Sequence, residues 1–197
     1  MKIVLSTRNP SKTEQIKAIF AESPITILTL AEAGIQGEAV EDGQTLQENA
    51  LKKALFARRP GCWAMADDTG LFIKALNGEP GIKAARWAGE KATSEQTIEY
   101  TLEALKGKID RTAHFETVAA LVSPEGKEYF FTGRVYGSIL EAPKGKVQPK
   151  MPYSSLFVLP VINKVWAEMT LEEENRVSHR GKAFRQAREF LEDLLEK

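Results

Sequence analysis

Only one of the 197 residues is cysteine, Cys62, which excludes an intrachain disulfide and any cysteine-built metal centre. That scarcity fits a reducing compartment. Lys+Arg and Asp+Glu balance at 27 each, so the chain lacks the net basic charge on which general nucleic-acid and membrane-surface binders rely. Any cationic site is local. No apolar run is long enough to span a bilayer, and the few apolar residues after Met1-Lys2 give way to Ser6 and Arg8 before a signal-peptide core forms. A cytoplasmic protein is expected, with neither a membrane nor a nucleic-acid polymer as partner. A dinucleotide G-x-G-x-x-G fingerprint, a P-loop, an internal repeat and a Ser/Gly linker are also missing. Their absence disfavours a dehydrogenase or P-loop kinase and leaves one domain over residues 1–197. What remains is 43% hydrophobic and 27% charged, the balance of a globular chain able to bury a core.

The apolar run Trp63-Ala64-Met65-Ala66 ends at Asp67-Asp68-Thr69-Gly70. Read as a strand that stops at a turn, it sets two adjacent carboxylates at a sheet edge. One can hold a divalent cation while the other orients or deprotonates water, a pairing suited to phosphoanhydride hydrolysis. An Asp-rich turn that merely closes a strand is the plainer alternative. Upstream, Lys2 to Ser6 reads as a buried first strand, and Ile16, Ile19 and Phe20 recur at helical spacing after Asn9-Pro10-Ser11. The loop from Ser6 to Lys12 brings hydroxyls, an amide, two cations and free backbone N–H groups to a helix N-terminus, a ready phosphate site. An ordinary Asn9 or Ser11 cap is its alternative.

Ile25 to Leu30 reads as a second strand, followed by an acidic loop from Glu32 to Gly43 in which Glu41 could give a further oxygen to the same cation. Thr45-Leu46-Gln47-Glu48 has capping-box spacing and opens a helix that puts Asn49 and Lys53 one turn apart on a common face, Lys53 being solvated by default. Thr93 opens another helix. His114 to Val122 and Glu128 to Leu140 flank Ser123 to Gly126 as a long-armed hairpin, with His114 at the surface or capped. A polar segment then ends in Ser178-His179-Arg180-Gly181-Lys182, which starts a helix burying Phe184, Ala187, Leu191 and Leu194. Cations are disfavoured at a helix start, so that cluster points to an anionic or carbonyl partner. The element order predicts an α/β fold with a central mixed sheet flanked by helices and a cleft between two lobes.

These stretches resemble the Ham1/inosine triphosphate pyrophosphatase family nearly end to end. Thr7 to Lys12 looks like its T-G-N-x-x-K loop, Thr45 to Ala50 like T-x-x-E-N-A, and Ala66 to Gly70 like A-D-D-[ST]-G. Glu79 to Ile82 with Ala85-Arg86 resembles P-G-[IV]-x-[SA]-A-R, and Ser178 to Gly181 is S-H-R-G. The resemblance implies an elongated two-lobed α/β fold, a homodimer, and hydrolysis of non-standard purine nucleoside triphosphates such as ITP, dITP and XTP to monophosphate and pyrophosphate. It implies phosphate binding by Asn9 and Lys12, charge on the triphosphate from Lys53, Mg²⁺ bound by Glu41 and Asp67, and Asp68 as the base that orients water. It sets Ser178, His179 and Arg180 against the base or nearby phosphate, with Thr7, Thr69, Tyr153, Ser154 and Glu174 as further substrate contacts.

The chain departs from the family at three places. The loop G-F-G-Y-D-P is matched by Lys150-Met151-Pro152-Tyr153-Ser154-Ser155, Glu174 stands where a lysine is usual, and Arg8 replaces the phosphate-loop glycine. Two of these changes fall on the base pocket, so a shifted or looser base preference is expected. Two rival readings stay open. One is a pyrophosphatase for a modified pyrimidine or standard nucleotide; the other is a nucleotide-binding sensor without catalysis.

Overall fold

Ile3, Val4 and Leu5 are completely buried, which requires a strand covered on both faces. In the computed structural model, which describes residues 1–148 and 150–196, β1 (Lys2–Leu5) pairs in parallel with β2 (Thr26–Thr29) and with β3 (Trp63–Ile73). Parallel neighbours need crossovers. Helix α1 (Pro10–Ile19) supplies the first and α2 (Leu46–Phe56) the second. The chain continues through β4 (Pro80–Gly81), α3 (Ser94–Ala104), β5 (Thr112–Val122), β6 (Glu128–Ile139), β7 (Phe157–Leu159), β8 (Lys164–Val165), α4 (Leu171–Val177) and α5 (His179–Leu195). Among the described residues the eight strands form one mixed sheet in the order β2-β1-β3-β5-β6-β7-β8, with β4 antiparallel to β3. Five α-helices among the described residues flank it. No helix among these residues is long and apolar enough to cross a membrane.

The chain divides into two compact units. The first comprises Met1–Thr69, Thr117–Gly133 and the chain from Asn175 on; the second comprises Gly70–Glu116 and Arg134–Glu174. In the first, the two-residue period of the strands sorts the core. Ile3, Leu5, Trp63 and Met65 pack with Ile16 and Ile19 of α1 and with Phe184, Ala187 and Leu191 of α5. Val4 and Ala64 point the other way, toward Leu30, Ile35 and Ala57. In the second, Phe115 meets Phe157 edge-on at 4.9 Å, and Phe157 stacks on Trp166.

Several expectations need correction. Asp67 to Gly70 is not a turn, because β3 runs unbroken through it. Lys53 is buried, not solvated. Glu48 does not close a reciprocal capping box: Thr45 accepts its N–H at 3.1 Å, but its own carboxylate accepts from Gln44 N at 2.7 Å. His114 stacks on Phe72 at 4.9 Å, the polar segment before Ser178 forms α4, and Leu194 is 42% exposed.

Close approach of backbones fixes where α5 begins. A Cβ at Gly133 of β6 would lie 1.9 Å from the carbonyl oxygen of His179, and one at Gly181 would lie 1.9 Å from that of Asn175. The Gly181 clash gives the glycine of Ser-His-Arg-Gly a steric reason. Gly133→Ala is expected to displace the first turn of α5 and cost at least about 1–3 kcal/mol, read as a lowered urea midpoint with an unchanged slope.

Candidate active site

The parallel pairing of β1 with β3 stops at Leu5 and Met65, just ahead of Asp67, and it is at the edge beyond the carboxyl end of such strands that open α/β sheets bind ligands. Ser6 N donates to Met65 O at 2.7 Å, and Asp67 follows two residues later. At this edge Asn9 caps α1, its Oδ1 accepting from Ser11 N at 3.0 Å and Lys12 N at 3.4 Å. Asn9 N donates to Thr7 Oγ1, and Thr7 N to Leu5 O. The N–H groups of Ser6, Thr7, Asn9, Ser11 and Lys12 are therefore engaged rather than free, and the positive charge of this loop comes from side chains. Arg8 donates to Gly37 O through Nε at 3.0 Å and Nη2 at 2.6 Å, tying this loop to the segment ahead of Glu41.

Lys12 Nζ reaches across to Asp67 Oδ2 at 2.8 Å, where Thr69 Oγ1 (3.2 Å) and Arg180 Nε (3.4 Å) also donate. Asp67 Oδ1 is buried with no hydrogen-bond partner among the described residues. Asp68 turns the other way, as successive strand residues do. Its Oδ1 accepts from Lys53 Nζ at 2.8 Å and its Oδ2 from Asn49 Nδ2 at 3.2 Å, so both α2 residues of the common face converge on it. Lys53 also lies 3.3 Å from Glu41 Oε2, and Asn49 Oδ1 accepts Gly43 N at 2.8 Å, which pins the acidic loop.

The two aspartates sit in opposed environments. Burial works against the charge of Asp67, but Lys12, Arg180 and Lys53 outweigh it and hold the carboxyl well below the usual range. Burial pushes Asp68 up, and Lys53 offsets this only in part. Burial lowers Lys12 despite Asp67. It works against Lys53 as well, but Asp68, Asp67 and Glu41 overcome it and raise that lysine. Neighbouring carboxyls pushed apart in this way are suited to different roles.

Ser178 caps α5 by accepting Gly181 N at 2.9 Å. Next to it, Arg180 Nη1 donates to Gln15 Oε1 at 2.7 Å, and His179 Nδ1 lies 2.6 Å from Thr117 Oγ1. Burial and the Arg180 charge push this imidazole well below its ordinary pKa, which favours the neutral ring. Thr7, Asn9, Lys12, Glu41, Lys53, Asp67, Asp68, Thr69, Ser178, His179 and Arg180 all belong to the first unit. Tyr153, Ser154 and Glu174 belong to the second. There Tyr153 is buried and donates its hydroxyl to Ala84 O at 3.0 Å, Ser154 Oγ donates to Met151 O at 2.7 Å, and Glu174 lies in the first turn of α4. Gln15 and Thr117 carry no motif signal; Asn49 was marked by its spacing from Lys53.

Among the described residues no group of three or more His, Cys, Asp or Glu forms a metal site. Magnesium needs no such group, since it is commonly bound by one or two carboxylates and completed by water and substrate phosphates. The partnerless Asp67 Oδ1 and the half-exposed Glu41 carboxylate are hard oxygen donors that fit it.

Paired carboxylates and cations gathered where the β1–β3 pairing ends are an arrangement suited to a nucleotide-handling α/β enzyme. The chain belongs to the Ham1 family, whose profile matches residues 3–190. It is 41% identical to the dITP/XTP pyrophosphatase of Thermoanaerobacter sp. (strain X514), over 100% of this chain and 99% of that one. It is 44% identical to the dITP/XTP pyrophosphatase of Thermus thermophilus (strain ATCC 27634), over 98% and 93%. The Ham1 protein of Staphylococcus aureus superimposes with a TM-score of 0.85 at 33% identity, covering 100% of both chains.

Asp67→Asn would leave Lys12 and Arg180 facing a neutral amide inside the protein. A loss of about 3–5 kcal/mol in urea unfolding is expected. Lys106→Ala, which removes the exposed Lys106–Glu103 pair, is the control and should cost less than about 1 kcal/mol.

Proposed function

We propose that this protein is a nucleoside-triphosphate pyrophosphatase that cleaves non-standard purine nucleoside triphosphates, dITP and XTP among them, into monophosphate and pyrophosphate. The observation that carries the reading is the divergence of Asp67 and Asp68: one is held as a charged carboxylate by Lys12 and Arg180, while the other is raised by burial against Lys53. Full-length similarity to dITP/XTP pyrophosphatases supplies the substrate class.

In this reading Asp68 is the general base. A carboxylate with a raised pKa is better matched to taking a proton from water than an ordinary aspartate. Lys53, bonded to Asp68 Oδ1, keeps that carboxylate oriented and adds positive charge beside the triphosphate. Lys12 and Asn9, set by the α1 cap with Thr7, hold phosphates and balance the charge that builds on the departing pyrophosphate. Asp67 and Glu41 would hold Mg²⁺, which when bound draws charge from the phosphate chain. Thr69 fixes Asp67, and Ser178, His179 and Arg180 meet the base or the nearest phosphate. Tyr153, Ser154 and Glu174 contribute to base selection. A homodimer in the cytoplasm belongs to the same proposal and is supported by the family resemblance.

Asp68→Asn keeps the shape and the Asn49 and Lys53 neighbours but removes the base. Pyrophosphate release from dITP is expected to fall on the order of 10²-fold or more with the fold retained, while the buried Lys53, left facing an amide, lowers the unfolding midpoint. Turnover equal to wild type would remove Asp68 from the mechanism.

A further inference from the structure

Thr117 lies in β5, fully buried and outside every motif described above. Its hydroxyl is 2.7 Å from Thr69 Oγ1 and 2.6 Å from His179 Nδ1. Thr69 Oγ1 is in turn 3.2 Å from Asp67 Oδ2. Asp67, Thr69, Thr117 and His179 thus form a single file of hydrogen-bonding groups drawn from β3, β5 and α5.

The file has one consistent direction. Asp67 Oδ2 already accepts from Lys12 and Arg180, and an ionised carboxylate has no proton to give. Thr69 must therefore donate to Asp67. A hydroxyl carries one proton, so Thr69 accepts from Thr117, and Thr117, its proton spent, accepts from His179. The neutral ring is then protonated at Nδ1 and unprotonated at Nε2. The opposite direction would leave the Thr69 and Asp67 oxygens 3.2 Å apart with no proton between them.

We propose that Thr117 is a positioning residue that holds His179 as the single Nδ1–H tautomer, making Nε2 the ring's hydrogen-bond acceptor. The consequence for catalysis rests on the pyrophosphatase reading; the tautomer does not. Because Thr117 touches neither metal ligand nor base directly, its effect on the reaction passes through the imidazole.

The test uses the full chain labelled with ¹⁵N in its histidines. There are two, His114 and His179, so H114Q assigns both rings. In a long-range proton–nitrogen correlation without nucleotide, His179 is expected to show a protonated Nδ1 and an unprotonated Nε2. T117V, which swaps the hydroxyl for a methyl, should abolish that pattern and lower kcat/KM for dITP between about twofold and about tenfold, the range for one lost hydrogen bond. T117S keeps the hydroxyl and should restore both. A protonated Nε2 in the wild type, or a T117V spectrum identical to wild type, overturns the proposal. Should T117V not fold, the wild-type and T117S spectra still decide: Nδ1–H in both supports it, Nε2–H contradicts it. A chain with the expected tautomer but no pyrophosphatase activity would fail the functional reading alone.

Discussion

Two lysine–aspartate contacts, Lys12 to Asp67 and Lys53 to Asp68, each 2.8 Å long, organise the first structural unit. At an effective dielectric of about 20 each attraction amounts to about 6 kcal/mol. Removing the ions from water costs several kcal/mol apiece, so the pairs contribute little net stability. Apolar side chains of similar size would hold the fold at least as well. What the pairs provide is charge at fixed positions, which suits the proposed uptake of a polyanion.

Secondary structure places each member of the cluster. The alternation of β3 sends adjacent aspartates to different partners, Asp67 toward α1 and α5 and Asp68 toward α2. The Asn9 cap fixes the start of α1 and so the root of Lys12; the Thr45 cap does the same for Asn49 and Lys53. Gly133 lets the start of α5 lie close against β6, and Gly181 lets it lie close against the end of α4; from there Arg180 reaches Asp67 and His179 reaches Thr117. Arg8, in the place of a family glycine, ties the loop before α1 to the chain ahead of Glu41. That makes it a link between two loops of the same site.

Much of this was legible in the sequence. Buried runs and helical spacing located β1, α1, α2, the β5–β6 hairpin and α5, and the motifs drew together the cationic and acidic residues of one edge. The failures have physical causes. Asp-Asp-Thr-Gly reads as a turn by propensity, but side-chain partners from three helices and pairing within the sheet keep it in a strand, where tertiary contacts override local preference. Lys53 reads as solvated because a lone lysine on a helix usually is, and nothing nearby in the chain announces Asp68 fifteen residues on. Thr117 and Gln15 are invisible for the same reason: their partners lie 62 and 165 residues away. A hydroxyl or amide in an ordinary strand or helix carries no signal until the chain is folded.

The stretch least like the family, Lys150 to Ser155, belongs to the second unit, where Tyr153 and Ser154 bond to Ala84 and Met151. The residues proposed for the reaction and those proposed for base selection thus fall in different units. The most direct measurement is Mg²⁺-dependent product release over a panel of nucleoside triphosphates, with pyrophosphate scored against orthophosphate. The panel holds inosine and xanthosine forms beside standard and modified-pyrimidine ones. Pyrophosphate as the product, with the inosine and xanthosine forms among the substrates but not necessarily ahead of the others, is the predicted result. Orthophosphate as the product, or binding without turnover of any nucleotide, would contradict the assigned chemistry.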